Sequence, residues 1–180
     1  MTNRASLILV VLSLCAFGTL RAQDNQQAAT VHTAEWFSLG LGSGYFGPVL
    51  ACGVSFAYDN NVLCLRYLKA DELQFNVEGH DDEPSLALKE IDLLYGRTFT
   101  NKPLTLNISA GLGYVSAVDR GRLIQYQDFQ RVEISTLGVP FDAGFRFEFG
   151  VVAIGGSWYG NINAKRSTYG AMVQVHFGMF

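Results

Sequence analysis

The sequence lacks three features that would point to common protein classes. After residue 22 it has no apolar run of the ~20 residues that a membrane-spanning helix requires, so any membrane insertion would have to be as a β-barrel. Its net charge is only −3, which is not the basic excess of a nucleic-acid-binding protein, and we expect no nucleic-acid partner. It has only three histidines, His32, His80 and His176, which limits the choice of a catalytic base.

The N-terminus has the pattern of a secretory signal peptide. Arg4 precedes the apolar run Leu7–Phe17, and a small residue ends the segment. We therefore expect cleavage of residues 1–22, a flexible polar lead-in over residues 23–34, and one domain over residues 35–180.

Two cysteines remain after this segment, and their positions argue against a disulfide. Cys52 alternates in phase with apolar residues such as Leu50 and Val54, whereas Cys64 lies on the same face as Arg66. Cysteines that point to opposite faces of neighbouring strands cannot meet disulfide geometry. Two free thiols are expected.

The stretch Leu104–Val115, LTLNISAGLGYV, has apolar residues at every second position, with small and polar residues between them. This period of two predicts a β-strand with one apolar face. Soluble strands are usually about 5–6 residues long, whereas a tilted strand that crosses a bilayer needs about 9–11. The length of the run favours a transmembrane strand.

Similar alternation recurs along the chain and predicts eight strands. They cover residues 35–46, 49–58, 62–68, 86–96, 104–115, 132–147, 151–160 and 169–179. Long polar connections over residues 69–85, 116–131 and 161–168 alternate with short turns, as in an antiparallel up-and-down barrel with both termini on one side. Pro140 cannot donate to a strand ladder and predicts a bulge or a local break in the sixth strand.

The last strand, VQVHFGMF, alternates and ends in the aromatic residue Phe180. With the eight-strand pattern, it resembles the small outer-membrane barrels of the OmpA/OmpX type, although Phe180 is one residue out of phase with the apolar face. The resemblance implies an all-β, eight-stranded antiparallel up-and-down transmembrane barrel in the outer membrane of a Gram-negative bacterium, with both mature termini periplasmic. It also implies outer-membrane lipid as surroundings and the barrel-assembly machinery as a partner through Phe180. We expect a monomer.

Charged residues fall on the inward register of the predicted strands. An eight-stranded barrel is just wide enough for side chains to fill, and buried charges persist only when they are paired. We therefore predict an interior salt-bridge network that acts as a structural plug, with a proton or ion path as the alternative. Its members are Arg66, Glu90, Asp92, Asp142 and Arg146.

Two predicted loops carry cations on the same side of the barrel, where lipopolysaccharide phosphates would be available. The candidate contacts are Arg120, Arg122, Arg131, Lys165 and Arg166. The acidic run Glu78–Glu83 lacks the spacing of a calcium loop, and we expect a solvated surface there and no metal or cofactor.

These features predict a noncatalytic outer-membrane barrel with a closed, salt-bridged interior, acting through its extracellular loops in envelope integrity or partner binding. One alternative is a lipid-modifying enzyme of the lipid A deacylase or acyltransferase kind, but His176 has Gly178 where a nucleophile could stand. A secreted lipocalin-like barrel is a further alternative, and it would need its apolar face directed inward.

Overall fold

The computed structural model describes residues 33–72, 86–125 and 128–180, without the side chains of residues 123–129. The predicted signal peptide, His32 and the acidic run Glu78–Glu83 lie outside the described residues. Within the described part of the chain, no helix is long and apolar enough to cross a membrane.

Eight strands form one closed antiparallel barrel in which each strand pairs with the next and β1 pairs with β8. The prediction of an all-β, eight-stranded up-and-down barrel is confirmed. In chain order the strands are β1 (Thr33–Gly44), β2 (Gly47–Tyr58), β3 (Asn61–Asp71), β4 (Ala87–Asn101), β5 (Leu104–Gln125), β6 (Asp128–Phe149), β7 (Val152–Asn163) and β8 (Thr168–Met179).

The two ends of the barrel differ in their connections. We call the end with the reversals at residues 59–60, 102–103 and 150–151 the turn end. The opposite end, called the loop end, carries the remaining connections, at residues 45–46, 72–86, 126–127 and 164–167. A two-residue hairpin needs turn conformations that bulky residues rarely adopt, and Asp59 and Gly150 have the positive φ angles that these tight turns require.

The predicted loop at 116–131 was wrong, because most of it is strand. β5 continues to Gln125 and β6 begins at Asp128, and register shifts occur only between Arg120 and Gln125. Inward residues stay buried through Asp119, while three of the four outward positions from Ser116 to Arg122 are polar, Val118 being the exception. A strand that has left the apolar zone no longer needs an apolar outer face, so the loss of the hydrophobic pattern did not mark its end.

Of the bulge or local break expected at Pro140, the structure has the local break in the β5–β6 ladder and no bulge. The pairs Ala110–Phe141 and Gly113–Gly138 keep the same β5–β6 register on both sides of the proline, and Pro140 still pairs with Asn161 of β7. Pro140 is fully buried, and the β5–β6 pairing is interrupted beside it, between the pairs Ala110–Phe141 and Gly113–Gly138. The barrel accommodates the missing N–H without inserting a residue.

Burial is the reverse of that in a soluble barrel. Large apolar side chains such as Leu112 (72% exposed) and Leu137 (74%) face outward, while Arg66 (4%) and Asp92 (0%) are buried inside. A lipocalin-like barrel buries its apolar residues around a ligand, and this arrangement contradicts that alternative.

Candidate functional site: the barrel interior and the loop end

The interior next to the loop end is filled by an apolar layer that sequence reasoning did not predict. Its core contains the buried side chains Phe46, Leu68, Leu88 and Val115, and Tyr159 lies where the layer meets Arg66. The signal for this layer was present, because the inward positions of β2 to β5 become apolar toward the loop end. This layer closes the interior against solvent on that side.

Arg66 lies at the centre of the barrel and holds two carboxylates. Its Nε and Nη2 donate to Asp92 Oδ2 at 3.0 and 2.8 Å, and its Nη1 donates to Asp142 Oδ2 at 3.0 Å. Asn107 Nδ2 donates to the other oxygen of Asp142 at 2.9 Å. The guanidinium also lies 5.7 Å from the ring centre of Tyr159. We call Arg66, Asp92 and Asp142 the central cluster.

Among the described residues, Glu90 has no arginine as an ion-pair partner, which corrects one part of the predicted network. Asn161 Nδ2 donates to Glu90 Oε1 at 2.7 Å, and Glu90 Oε2 is buried without a hydrogen-bond partner among the described residues. Asn161 was not among the predicted site residues, because a polar residue near a predicted strand end gave no sign of its burial. The close approach of Asn161 requires glycine at position 138, where a Cβ would collide with its amide.

The second correction to the predicted network concerns Arg146, which lies toward the turn end and outside the central cluster. Its Nε donates to Glu148 Oε1 at 3.3 Å, and Thr105 Oγ1 donates to the same oxygen at 2.8 Å. The guanidinium stacks 4.0 Å from the ring centre of Trp36 and 5.2 Å from that of Phe180. We call Trp36, Arg146, Glu148 and Phe180 the turn-end stack.

The turn-end stack explains why Phe180 is out of phase with the apolar face. Its ring is half-buried and packs 6.1 Å from Trp36, while its carbonyl oxygen accepts a hydrogen bond from Lys102 Nζ at 3.5 Å. Phe180 therefore extends the interior filling at the turn end. The odd phase of the terminal aromatic was the sequence signal for this role.

Between the central cluster and the turn-end stack lies a small polar cavity of about 50 Å³. Ser38 and His176, cross-strand neighbours on β1 and β8, both line it. The Ser38 hydroxyl donates to the carbonyl of Gly53 at 3.3 Å, and His176 Nδ1 has no hydrogen-bond partner among the described residues. The cavity has room for a few water molecules by its volume and no room for a lipid substrate.

Cys52 and Cys64 are free, as predicted, with Cys52 on the outer register and Cys64 on the inner. No group of three or more metal-ligating side chains occurs in the ranges that the structure describes.

At the loop end, two of the predicted lipopolysaccharide contacts bind acidic residues of the same chain. Arg120 Nη2 donates to Glu72 Oε2 at 2.9 Å. Arg166 forms an ion pair with Asp119, and its guanidinium stacks 4.4 Å from the ring centre of Tyr45. These ion pairs neutralise part of the positive charge at the loop end and join β5 to the connections that carry Glu72 and Arg166.

The other three predicted contacts are exposed. Arg131 forms an ion pair of 3.3 Å with Glu133, and both side chains are mostly in solvent. Arg122 and Lys165 are exposed on β5 and on the β7–β8 connection. The five cations thus fall into two groups. Arg120 and Arg166 form ion pairs with Glu72 and Asp119, whereas Arg122, Arg131 and Lys165 form the exposed set.

A closed antiparallel barrel with an apolar outer face and ion-paired side chains inside is the architecture of membrane-spanning β-barrels. No protein-family model and no curated protein matches the sequence. Solved structures do match in fold: the N-terminal β-barrel domain of Pseudomonas aeruginosa OprF gives a TM-score of 0.58 at 15% identity, covering 83% of this chain and 99% of that one. Neisserial surface protein A gives 0.53 at 11% identity, with coverage of 81% and 94%. Ail, the attachment invasion locus protein of Yersinia pestis, gives 0.50 at 12% identity, with coverage of 83% and 97%.

The chain therefore has the fold of the small eight-stranded outer-membrane barrels, as the sequence pattern predicted.

Proposed function

We propose that the protein is a noncatalytic integral protein of the bacterial outer membrane, with a closed interior and with its loop end outside the cell. The observation that carries the proposal is the inverted burial. Large apolar side chains face outward on all eight strands, whereas the ion-paired central cluster is inside. Only a lipid environment makes the outer wall favourable, because in water such a surface would drive aggregation.

The interior filling supports a structural role over conduction. The apolar layer, the central cluster and the turn-end stack succeed one another along the barrel axis. The matching experiment is a planar-bilayer recording, in which we expect no steady channel conductance from the folded chain. Steady, ion-selective steps would favour an ion path through the central cluster instead.

The loop end is the part that is available to partners. β5 and β6 are each 22 residues long, whereas the other strands have 11 to 15. The last β4 pair is Ala87–Val118 and the last β7 pair is Gly138–Asn163, so the β5–β6 hairpin extends alone beyond them. We propose that this hairpin acts in envelope integrity by contacting lipopolysaccharide.

In this proposal the exposed set, Arg122, Arg131 and Lys165, contacts lipopolysaccharide phosphates, while Arg120 and Arg166 mainly support the loops. Arginine and lysine bind phosphate through charge-assisted hydrogen bonds, which are stronger than neutral ones. Binding of purified lipopolysaccharide to the detergent-folded chain tests the contact. We expect the triple change Arg122→Gln, Arg131→Gln and Lys165→Gln to weaken it about tenfold or more, given roughly 0.5 kcal/mol for each exposed contact.

Lys69→Gln is the matched control, because Lys69 is a half-exposed cation near the loop end that pairs with Asp71. Equal affinity of the triple variant and the Lys69→Gln variant would remove the lipopolysaccharide contact from the proposal. In cells, replacing residues 119–132 by a short turn should leave a folded barrel but lower detergent resistance. Unchanged resistance would argue against a role for the hairpin in envelope integrity.

Orientation has a separate test. In a chain with Cys52→Ala and Cys64→Ala, Lys165→Cys at the loop end should react with a membrane-impermeant maleimide on intact cells. Asn60→Cys at the turn end should react only after the outer membrane is opened. The opposite pattern would place the turn end outside.

A catalytic function is the second candidate, and the observation that favours it is the Ser38–His176 pair on neighbouring strands. Against it, the Ser38 hydroxyl donates to a backbone carbonyl, and the cavity of about 50 Å³ is closed to a lipid. Ser38→Ala should leave the acylation of lipopolysaccharide unchanged when cells that express either form are compared. An acylation change made by the parent chain and lost in this variant would establish an enzyme.

A further inference from the structure

The middle of the barrel interior contains more acidic than basic groups. Among the described residues, the carboxyl groups of Glu90, Asp92 and Asp142 surround one guanidinium, that of Arg66, and all four residues are buried. If every carboxyl group were ionised, three negative charges and one positive charge would leave −2 away from water. Buried charges persist only when they are paired, so one carboxyl group in this set lacks a counter-charge.

Glu90 and Asp92 each have one oxygen atom that accepts no hydrogen bond. Asn161 Nδ2 donates to Glu90 Oε1 at 2.7 Å, and Arg66 donates to Asp92 Oδ2 at 2.8 and 3.0 Å. The remaining oxygens, Glu90 Oε2 and Asp92 Oδ1, are buried and have no donor among the described residues. A buried acceptor without a donor costs the free energy of its desolvation, and the cost is larger for a charged group.

The two unpartnered oxygens lie near each other. Glu90 and Asp92 are alternate residues of β4 and therefore share its inward face. A Cβ at position 113 would collide with Asp92 Oδ1 and would lie 3.0 Å from Asn161 Nδ2, so Oδ1 is turned toward the amide that holds Glu90. The two carboxyl groups are close enough for a side-chain hydrogen bond. Such a bond requires a proton, because two ionised carboxylates can only accept.

The surrounding strands supply no separate counter-charge to Glu90 from the residues that the structure describes. The charged and titratable groups around Glu90 and its partners are Arg66 on β3, Asp92 on β4, Asp142 on β6 and Tyr159 on β7. The Arg66 guanidinium donates its hydrogen bonds to the other two carboxyl groups. A tyrosine is neutral below about pH 10, and Asp142 adds negative charge. Ionisation of Glu90 would therefore place two like charges next to each other in a site without water.

We propose that Glu90 and Asp92 together bind one proton at neutral pH, carried on Glu90 Oε2 and donated to Asp92 Oδ1. Asp92 keeps its negative charge because its other oxygen accepts two hydrogen bonds from Arg66. The proton removes one uncompensated charge and links the central cluster to Asn161 of β7. This site makes the filled interior sensitive to pH. It goes beyond the proposed function and requires only the closed barrel.

The direction of the pH dependence follows from a comparison with the unfolded chain. In the unfolded chain a glutamate ionises above about pH 4.3, whereas the folded barrel keeps the proton on the pair. Folding therefore takes up one proton, and from about pH 5.5 to pH 7.5 the stability contributed by the pair falls as the pH rises. One proton changes the unfolding equilibrium constant about tenfold for each pH unit.

Infrared spectroscopy of the folded full chain in an ester-free detergent tests the proton directly. At about pH 7 we expect the carbonyl stretch of one protonated carboxyl group, with a shift when water is replaced by D₂O. Glu90→Gln should abolish this band, because its amide N–H replaces the carboxyl O–H as the donor to Asp92. Absence of the band from the parent chain would overturn the proposal without the need for any variant.

Reversible urea unfolding in lipid vesicles measures the linkage. Between about pH 5.5 and pH 7.5, the unfolding equilibrium constant of the parent chain should rise about a hundredfold relative to that of Glu90→Gln. Glu133→Gln is the matched control, because the Glu133 side chain is 75% exposed on β6 and is ionised in the folded and the unfolded chain. This control should keep the pH dependence of the parent. The heat-shifted gel mobility of each variant checks that it is folded.

Two outcomes of the unfolding experiment would overturn the proposal. The first is the same pH dependence in the parent chain and in Glu90→Gln, which would mean that the pair binds no proton. The second is a parent stability that depends on sodium concentration and not on pH, with the sodium dependence lost in Glu90→Gln, which would assign the gap to a metal cation. Neither outcome bears on the loop-end proposal, which is tested by other residues.

Discussion

The two buried arginines of the barrel, Arg66 and Arg146, have nearly the same exposure, 4% and 5%, yet they have different partners. Arg66 donates three hydrogen bonds to the carboxylates of the central cluster, while Arg146 has one carboxylate at 3.3 Å and two aromatic rings. Arg66 lies in mid-barrel, and Arg146 borders a polar opening of about 300 Å³ at the turn end. The position of an inward arginine along the barrel axis therefore decides how it is stabilised: by carboxylates in mid-barrel and by aromatic rings near the turn end.

Of the single substitutions considered, replacing Arg66 should lower the free energy of unfolding the most. Arg66→Met leaves Asp92 and Asp142 buried without their cation, and breaking such a pair costs about 3–5 kcal/mol of unfolding free energy. Reversible urea unfolding of the folded chain in lipid vesicles measures the loss. A loss below about 1 kcal/mol would mean that water already solvates the cluster.

A triple variant sharpens this prediction. Arg66→Met with Asp92→Asn and Asp142→Asn removes the cluster as a unit, and it should recover most of the stability because no buried charge is left unpaired. A triple variant no more stable than Arg66→Met alone would show that packing, and not charge pairing, explains the loss.

Removing the other arginine should have a smaller effect. Arg146→Met keeps an apolar contact with Trp36, and Glu148 retains the Thr105 hydroxyl and access to the turn-end opening. We expect a loss of about 1–2 kcal/mol in the same urea experiment, from the lost cation–π contacts and ion pair. A loss equal to that of Arg66→Met would contradict the role given to depth.

A double-mutant cycle tests the ring contacts themselves. Arg146→Met and Trp36→Leu, made singly and together, should give a coupling energy of about 1 kcal/mol, because the guanidinium is 4.0 Å from the indole ring centre. The corresponding cycle for Arg66 and Tyr159, at 5.7 Å, should give about half as much or less. Equal coupling in both cycles would exclude the stacking as the distinction between the two arginines.

Replacing Arg131, which lies outside the barrel interior, should change the free energy of unfolding the least. Arg131 pairs with Glu133 in solvent, with side chains 64% and 75% exposed. Arg131→Gln should change the free energy of unfolding by less than about 0.5 kcal/mol, since exposed pairs are screened and gain little. A larger loss would indicate that the hairpin beyond the barrel stabilises the whole fold.

Much of the fold was predictable because alternation records which face each residue occupies. The inward position of Arg66, Asp92, Asp142 and Arg146 followed from the period of two alone. Their partners did not follow, because the pairing of Arg66 with Asp142, 76 residues away, depends on how the strands stagger on closing. Alternation also says nothing about depth, so Arg146 and Glu90 were grouped with the central cluster.

The ends of the strands were predicted less well, for a related reason. An apolar outer face is required only within the lipid belt, so the pattern locates the belt and not the last paired residue of β5 or β6. For Phe180 the sequence indicated correctly that the residue is out of phase with the apolar face. Its role in filling the interior could be recognised only from its contact with Trp36.

The central claim is that the outer wall lies in lipid and encloses a filled interior. The most direct test is the gel mobility of the chain, expressed with its own N-terminal segment, from the outer-membrane fraction before and after boiling. We expect the chain in that fraction, with a mobility that shifts on heating because the closed barrel resists detergent until it is boiled. Recovery as a soluble species whose mobility is unchanged by heat would contradict the account.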